Sequence, residues 1–220
     1  MTETYNIRPA QRSDIPAIFG LIDEAAQWLQ ASKGTDQWAR PWPNRADRDE
    51  RIAQGIEHGL TWIAEREGCL LGTVTYREQG RDTLWTPAEL SDPAVYVSRL
   101  IVGRRHAGQS IGAALIDWAG LRGLREWQAN WLRVDVWTTN AALHGYYKDQ
   151  GFTHLRTAPF ETEWHYPSAA LFQKPTSEID LAAARRFTEF NADSLLPLAL
   201  RELNPSPAEK QPQTRSRTHL

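Results

Sequence analysis

Gly108 and Gly112 stand four apart in "RRHAGQSIGAALIDWA", residues 104–119, where a strand hands over to a helix. A helix N-terminus leaves backbone N–H groups without intrahelical partners, and these carry the positive end of the helix dipole. A phosphate fits there without a lysine. Glycine at 108 lets the backbone curl around an anion, and glycine at 112 lets it come close, so that successive N–H groups form a nest. The stretch is not a P-loop, since no Gly-Lys-Ser/Thr closes it. It also lacks the spacing and early strand of a dinucleotide fingerprint. A plain strand-to-helix bend would use the same glycines, so the loop alone leaves both readings open.

Two more places carry chemistry. In "NAALHGYYKDQGF", residues 140–152, Asn140 opens a short helix, Tyr147 lies two turns on, and Gly151 stops the helix. In "WLRVDVW" the period of two puts Arg133, Asp135 and Trp137 on one face and Val134 and Val136 on the other. That charged face is either a substrate contact or an internal Arg–Asp pair.

The elements that must hold these residues follow from periodicity. "YNIRPA" reads as a strand, and residues 15–30 carry a helical apolar stripe. A loop with Gly34, Pro41 and Pro43 precedes a second helix over 45–59. "LTWIAERE" and "CLLGTVTYRE" form a hairpin about Gly68, with Cys69 expected as a small buried hydrophobe. Residues 79–93 are polar and read as a surface excursion. A strand at 94–102 leads into a helix over about 109–126, with Ile111, Leu115, Trp118, Leu121 and Leu124 on its buried face. "WLRVDVW", "FTHLRTA" and "SAALFQKP" are the remaining strands. The alternation describes an α/β (α+β) fold, a mixed sheet with helices on both faces.

The totals bound the rest. With 220 residues, one sizeable core is expected. Charges nearly cancel, 25 basic against 27 acidic, so nothing points to nucleic acid or a charged membrane surface. A single cysteine excludes an internal disulfide. No apolar run is long enough to span a membrane and no leader segment is evident, so a cytoplasmic protein is expected. Residues 176–204 read as a helical extension and 205–220 as a disordered tail, with a homodimer contact one use for them.

Taken together and in order, "AGQSIG" at 107–112 and the segment Asn140 to Phe152 resemble the GNAT superfamily of acyl-coenzyme A-dependent N-acyltransferases. The family hallmark is Arg/Gln-x-x-Gly-x-Gly/Ala at the start of the helix after strand four. A second segment, Asn-x-x-Ala-x-x-x-Tyr-x-x-x-Gly-Phe, follows strand five. The resemblance covers residues 4 to 175 and implies a single domain with a mostly antiparallel sheet of about six to seven strands. Here Ala107 replaces the Arg or Gln, Ser110 replaces a glycine with ordinary φ expected, and Leu143 replaces an alanine.

The resemblance implies transfer of an acetyl group from acetyl-coenzyme A to an amine, with no metal. Ala107, Gly108, Gln109, Ser110, Ile111 and Gly112 would cradle the pyrophosphate. The backbone of Leu100, Ile101 and Val102 would pair with the pantetheine arm and stabilise the oxyanion. Asn140 would contact the cofactor or merely cap its helix. Tyr147 would protonate the leaving thiolate, since a thiol of pKa about 8.5 is more acidic than a tyrosine of about 10; Tyr146 is read as packing. Strand four lacks the family's carboxylate base, which leaves Asp135, Glu65, His106, His165 or a water chain. Trp28, Asp36 and Trp38, with Trp42, Trp62 and Trp164–Tyr166, are candidates for the acceptor pocket, the tryptophans for an aromatic or cationic amine and Asp36 for its ammonium. A small-molecule amine is the expected acceptor. A protein amine, or a degenerate acyl-coenzyme A sensor, is the alternative.

Overall fold

The central strands bury consecutive residues, so both of their faces meet apolar layers, with helix stripes of period 3.6 supplying much of the cover. In the computed structural model, residues 3–159 and 167–190 are described. The strands are β1 (Tyr5–Pro9), β2 (Thr61–Arg66), β3 (Cys69–Arg77), β4 (Ala94–Val102), β5 (Trp131–Trp137), β6 (Thr153–Thr157), β7 (Ser168–Pro175) and β8 (Phe187–Glu189). The helices are α1 (Ile15–Lys33), α2 (Arg45–Glu57), α3 (Pro87–Ser91), α4 (Ile111–Trp127), α5 (Ala141–Asp149) and α6 (Leu181–Ala184). One sheet runs β6-β7-β5-β4-β3-β2-β1-β8. Only β4–β5 and β1–β8 pair in parallel. The eighth strand exceeds the expected six to seven.

Helices cover both faces. On one, Ile111, Leu115 and Trp118 of α4 and Tyr147 of α5 pack with Val74, Val97, Val134 and Phe172. On the other, Ile18 and Ile22 of α1 and Ile52 and Ile56 of α2 pack with Ile63 and Ile101. Leu124, expected on the buried face of α4, is 41 % exposed.

Strand β4 is irregular where the site will lie. Thr73 pairs with Ile101 but Thr75 with Ser98, so β4 carries one extra residue there. Arg99 takes a positive φ of 48°. Such a bulge resets the alternation: Val97 and Leu100 share the α4 face, while Ile101 joins the α1–α2 face. Beyond the bulge β4 also leaves β5. The two pair only from Ala94–Trp131 to Val97–Val134, while β5 stays paired with β7 along its whole length. The parallel strands therefore splay into a wedge.

Three sequence expectations change. Cys69 opens β3 after the Glu67–Gly68 turn and is exposed, because the turn tip has no layer above it. The 79–93 excursion is anchored: it contains α3 and buries Trp85 to 2 % exposure against Tyr96, at 5.4 Å between ring centroids. Among the described residues beyond Pro175, 176–190, helix occurs in short pieces, and Phe187–Glu189 adds to β1 as a strand. The expectations for 191–220 fall outside the described residues.

Glu89 pins the excursion. It caps α3 reciprocally with Thr86, and its carboxylate accepts from Arg156 Nη2 at 2.8 Å. That guanidinium, with help from Thr86, holds the Glu89 carboxyl down at about 2, from an ordinary 4.5. A lowered carboxyl contributes stability above its unfolded value and loses it as pH falls through the folded one. The pair is partly exposed, so its expected contribution is about 1 kcal/mol. Glu89→Gln should lower the midpoint at pH 7 and reduce the loss between pH 5 and 3. Thermal melts at those values check this, and equal acid sensitivity in both proteins would reject it.

Candidate active site

The turn into α4 presents donors. Gly108 has φ +80° with open space where a Cβ would stand. Ser110 is left-handed as well, at φ 55° and ψ 22°, not in the ordinary region expected of it. That costs an L-residue about 1–2 kcal/mol and explains why glycine suits the position. The first backbone bond into the helix runs from Ala114 N–H to the Ser110 carbonyl. Among the described residues, the N–H groups of Gly108, Ser110, Ile111, Gly112 and Ala113 have no backbone acceptor. They form a nest at the positive end of a long helix. Gln109 N–H turns back to the His106 carbonyl, and its own carbonyl accepts from Arg186 Nη2 at 3.1 Å. At Gly112 a Cβ would lie 2.9 Å from the Tyr146 hydroxyl, so only glycine leaves that approach open.

A cavity of about 1500 Å³ begins at this nest and passes through the β4–β5 wedge. Ala107, Gly108, Ser110, Ile111 and Gly112 line it at one end, Leu100, Ile101 and Val102 along it, and Asn140, Tyr146 and Tyr147 from α5. Gln109 is not among its walls. Asn140 caps α5 through Leu143 N–H at 2.9 Å and donates to Gln37 Oε1 at 2.6 Å. The cap therefore also ties the 34–44 loop to the wedge.

Both tyrosines of α5 line the cavity, and Tyr146 also packs against the core as expected. Tyr147 is 7 % exposed, its ring set edge-on to Phe152 and beside Phe172. Burial, with Tyr146 and Asp135 adding to it, raises the Tyr147 hydroxyl well above its ordinary value. Burial pushes Tyr146 up to about 12. Both remain protonated donors at neutral pH.

Asp135 lines the cavity, and its partner is Arg81 of the excursion, Nη2 to Oδ2 at 2.6 Å. An internal Arg133–Asp135 pair is not formed. Arg133 is buried and donates to the Tyr96 hydroxyl, the Glu89 carbonyl and Gln173. Local sequence gave no sign of Arg81, because the excursion returns to the sheet only in three dimensions. His106 lines the cavity beside the nest, but its Nε2 accepts from Arg105, and burial lowers its pKa. Glu65 lies away, paired with Arg8. His165 and Trp164–Tyr166 fall outside the described residues.

The aromatic candidates divide. Trp28 lines the cavity with the Arg104 guanidinium 3.7 Å from its ring, next to the nest, and so belongs to that end. Trp38, at φ 58°, and Trp42 line the far side. Trp62 is core, packed on Trp118 at 5.1 Å. Asp36 sits outside the main cavity and accepts from Trp137 Nε1 and Thr139 Oγ1 at 2.8 and 2.7 Å. These bonds lower its pKa and fasten the loop. Among the described residues no cluster of His, Cys, Asp or Glu could hold a metal, and no helix is long and apolar enough to cross a membrane.

Comparison with known proteins agrees with this geometry. Residues 22–152 match the model of the acetyltransferase (GNAT) family. The chain is 29 % identical over 150 residues to YesJ of Bacillus subtilis (strain 168), an uncharacterized N-acetyltransferase, covering 67 % of this chain and 81 % of that one. It is 26 % identical over 162 residues to the peptidyl-lysine N-acetyltransferase YiaC of Escherichia coli (strain K12), covering 74 % and 92 %. A solved GNAT-family acetyltransferase from Listeria monocytogenes 4b F2365 superposes with a TM-score of 0.60 at 27 % identity, covering 78 % and 94 %. With a family match that spans the nest, the wedge and the closing Gly151-Phe152, the chain belongs to the GNAT family of acetyltransferases.

Proposed function

We propose that this N-acetyltransferase moves an acetyl group from acetyl-coenzyme A to the primary amine of a small molecule, by direct attack with both substrates bound. The observation that carries this reading is the single cavity joining the α4 nest to the far side of the sheet through the wedge. The free N–H groups at Gly108 and Ser110–Ala113, the open space at Gly108 and the close approach at Gly112 suit a pyrophosphate and its arm. When bound, the cofactor supplies an activated thioester that a neutral amine attacks.

The chain's own groups then have these tasks. The backbone of Leu100–Val102, released from β5 by the splay, lies along the wedge where it could pair with the arm and donate to an oxyanion. Tyr147 gives a hydrogen bond or proton to the departing sulfur. Asp135, held by Arg81, is placed to take a proton from the amine directly or through water. Trp38 and Trp42 form the far wall.

Thermal unfolding with and without acetyl-coenzyme A tests the first half. At about 100 times the dissociation constant the ligand adds roughly 2.7 kcal/mol, which should raise the midpoint by about 5–10 °C. No rise at millimolar cofactor would overturn the reading. The similarity to YiaC favours a second acceptor, a peptide lysine. Thiol release with free amines against a lysyl peptide separates the two.

A further inference from the structure

The acceptor end of the cavity holds a guanidinium without a hydrogen-bond or ion-pair partner among the described residues. Arg77 closes β3 and pairs across the sheet with Tyr96, which pairs with Arg133. Directly paired residues share a face, so Arg77 stands beside Tyr96 on the side away from α4. It is half-buried and lines the cavity. Among the described residues it makes no hydrogen bond or ion pair. The nearby Asp135 is engaged by Arg81. Burial, with Arg81 pressing the same way and Asp135 only partly opposing them, lowers Arg77's hold on its proton.

A second polar group lies next to it. Ser98 pairs with Thr75, two residues along β3 from Arg77, and the residue lines the same cavity. Its Oγ is shielded and has no partner among the described residues. The walls lean the same way: nine cationic side chains, Lys33 and eight arginines, stand against the four carboxylates of Asp23, Asp47, Glu50 and Asp135, with Asp49 behind the wall paired to Arg45 and Arg48. Yet the whole chain has a net charge of −2, so the excess is local. Arg104 and Lys33 sit with Trp28 at the cofactor end. Arg77 does not.

We infer that the acceptor is an amine that also carries an anionic oxygen group, a carboxylate or a phosphate, received by the Arg77 guanidinium with the Ser98 hydroxyl beside it. This rests on the acetyltransferase reading above. A planar guanidinium meets either anion with two parallel hydrogen bonds, and a buried cation gains most from a partner that arrives with the substrate. The same walls oppose a polyamine.

The test is thiol release from acetyl-coenzyme A with primary amines matched in length and ending in a carboxylate, a phosphate, an uncharged amide or a second ammonium. The wild type should prefer an anionic amine over its amide match by about tenfold or more in kcat/KM, mostly through KM. Which of the two anions leads identifies the source. Arg77→Gln should bring anionic and amide amines within about twofold of each other, with the cofactor-induced rise in midpoint showing that the variant is folded. Equal or better use of the amide or the diamine overturns the inference. So does a preference that survives Arg77→Gln, or no turnover of any anionic amine. In each case a retained cofactor shift leaves the acetyltransferase reading standing.

Discussion

Tyr147→Phe should lower kcat about 100- to 1,000-fold, the range expected for removing a positioned proton donor. The KM for acetyl-coenzyme A should change little. The ring keeps its contacts with Phe152 and Phe172, and no hydrogen bond from the hydroxyl to the described chain is lost, so the melting midpoint should hold. Tyr146→Phe is the control: its hydroxyl faces Gly112 at the mouth of the nest and should matter several-fold less. Steady-state thiol release on the three proteins decides. Should Tyr147→Phe keep half its activity, the proton comes from Tyr146 or from water. The pH profile adds a sign. The donor is the neutral form, and burial raises its pKa, so an alkaline fall in rate below pH 10 belongs to another group.

Gly108→Pro should weaken acetyl-coenzyme A by 100-fold or more and erase the cofactor-induced rise in midpoint. Proline fixes φ near −65° where the chain needs +80°, and it removes one N–H from the nest. Gly108→Ala separates the two causes. Its methyl meets nothing within 4 Å and the N–H remains, so only the left-handed strain is added, a cost of about 1–2 kcal/mol. Ser110 already carries such strain, which shows that the turn tolerates one side chain in this conformation. Cofactor titration by calorimetry should rank wild type, Gly108→Ala and Gly108→Pro in that order. Equal affinity in all three would remove the nest from the cofactor site.

Much of this was legible in the sequence, for local reasons. The order of strands and helices follows from periodicity, and the turn into α4 and the two ends of α5 from Gly108, Gly112, Asn140 and Gly151. What was not legible depends on distant pairing. The Arg99 bulge adopts a positive φ without a glycine to announce it. Its trace is in "VSRLIV", where adjacent Leu100 and Ile101 are both apolar and interrupt a period of two. Asp135 found Arg81 rather than Arg133 because the excursion is anchored by Trp85 and Glu89, neither of which alternation marks as inward. Asp36 faced Trp137 and Thr139, some hundred positions away in the chain. Arg77 was passed over as a polar strand end. Its signal, a charge in step with Thr73 and Thr75, needs the face to be known first.

Strand β8 has a consequence for the order in which the molecule is completed. Tyr5 lies against Phe187, so β1 gains its outer neighbour only after residues 10–186 have been made. At about 5–20 residues per second, β1 waits roughly ten seconds or more with that edge open. The same late segment brings Arg186 to the Gln109 carbonyl. The turn that would receive the cofactor is thus braced from a segment made well after it, and the nest lacks that support until Arg186 arrives.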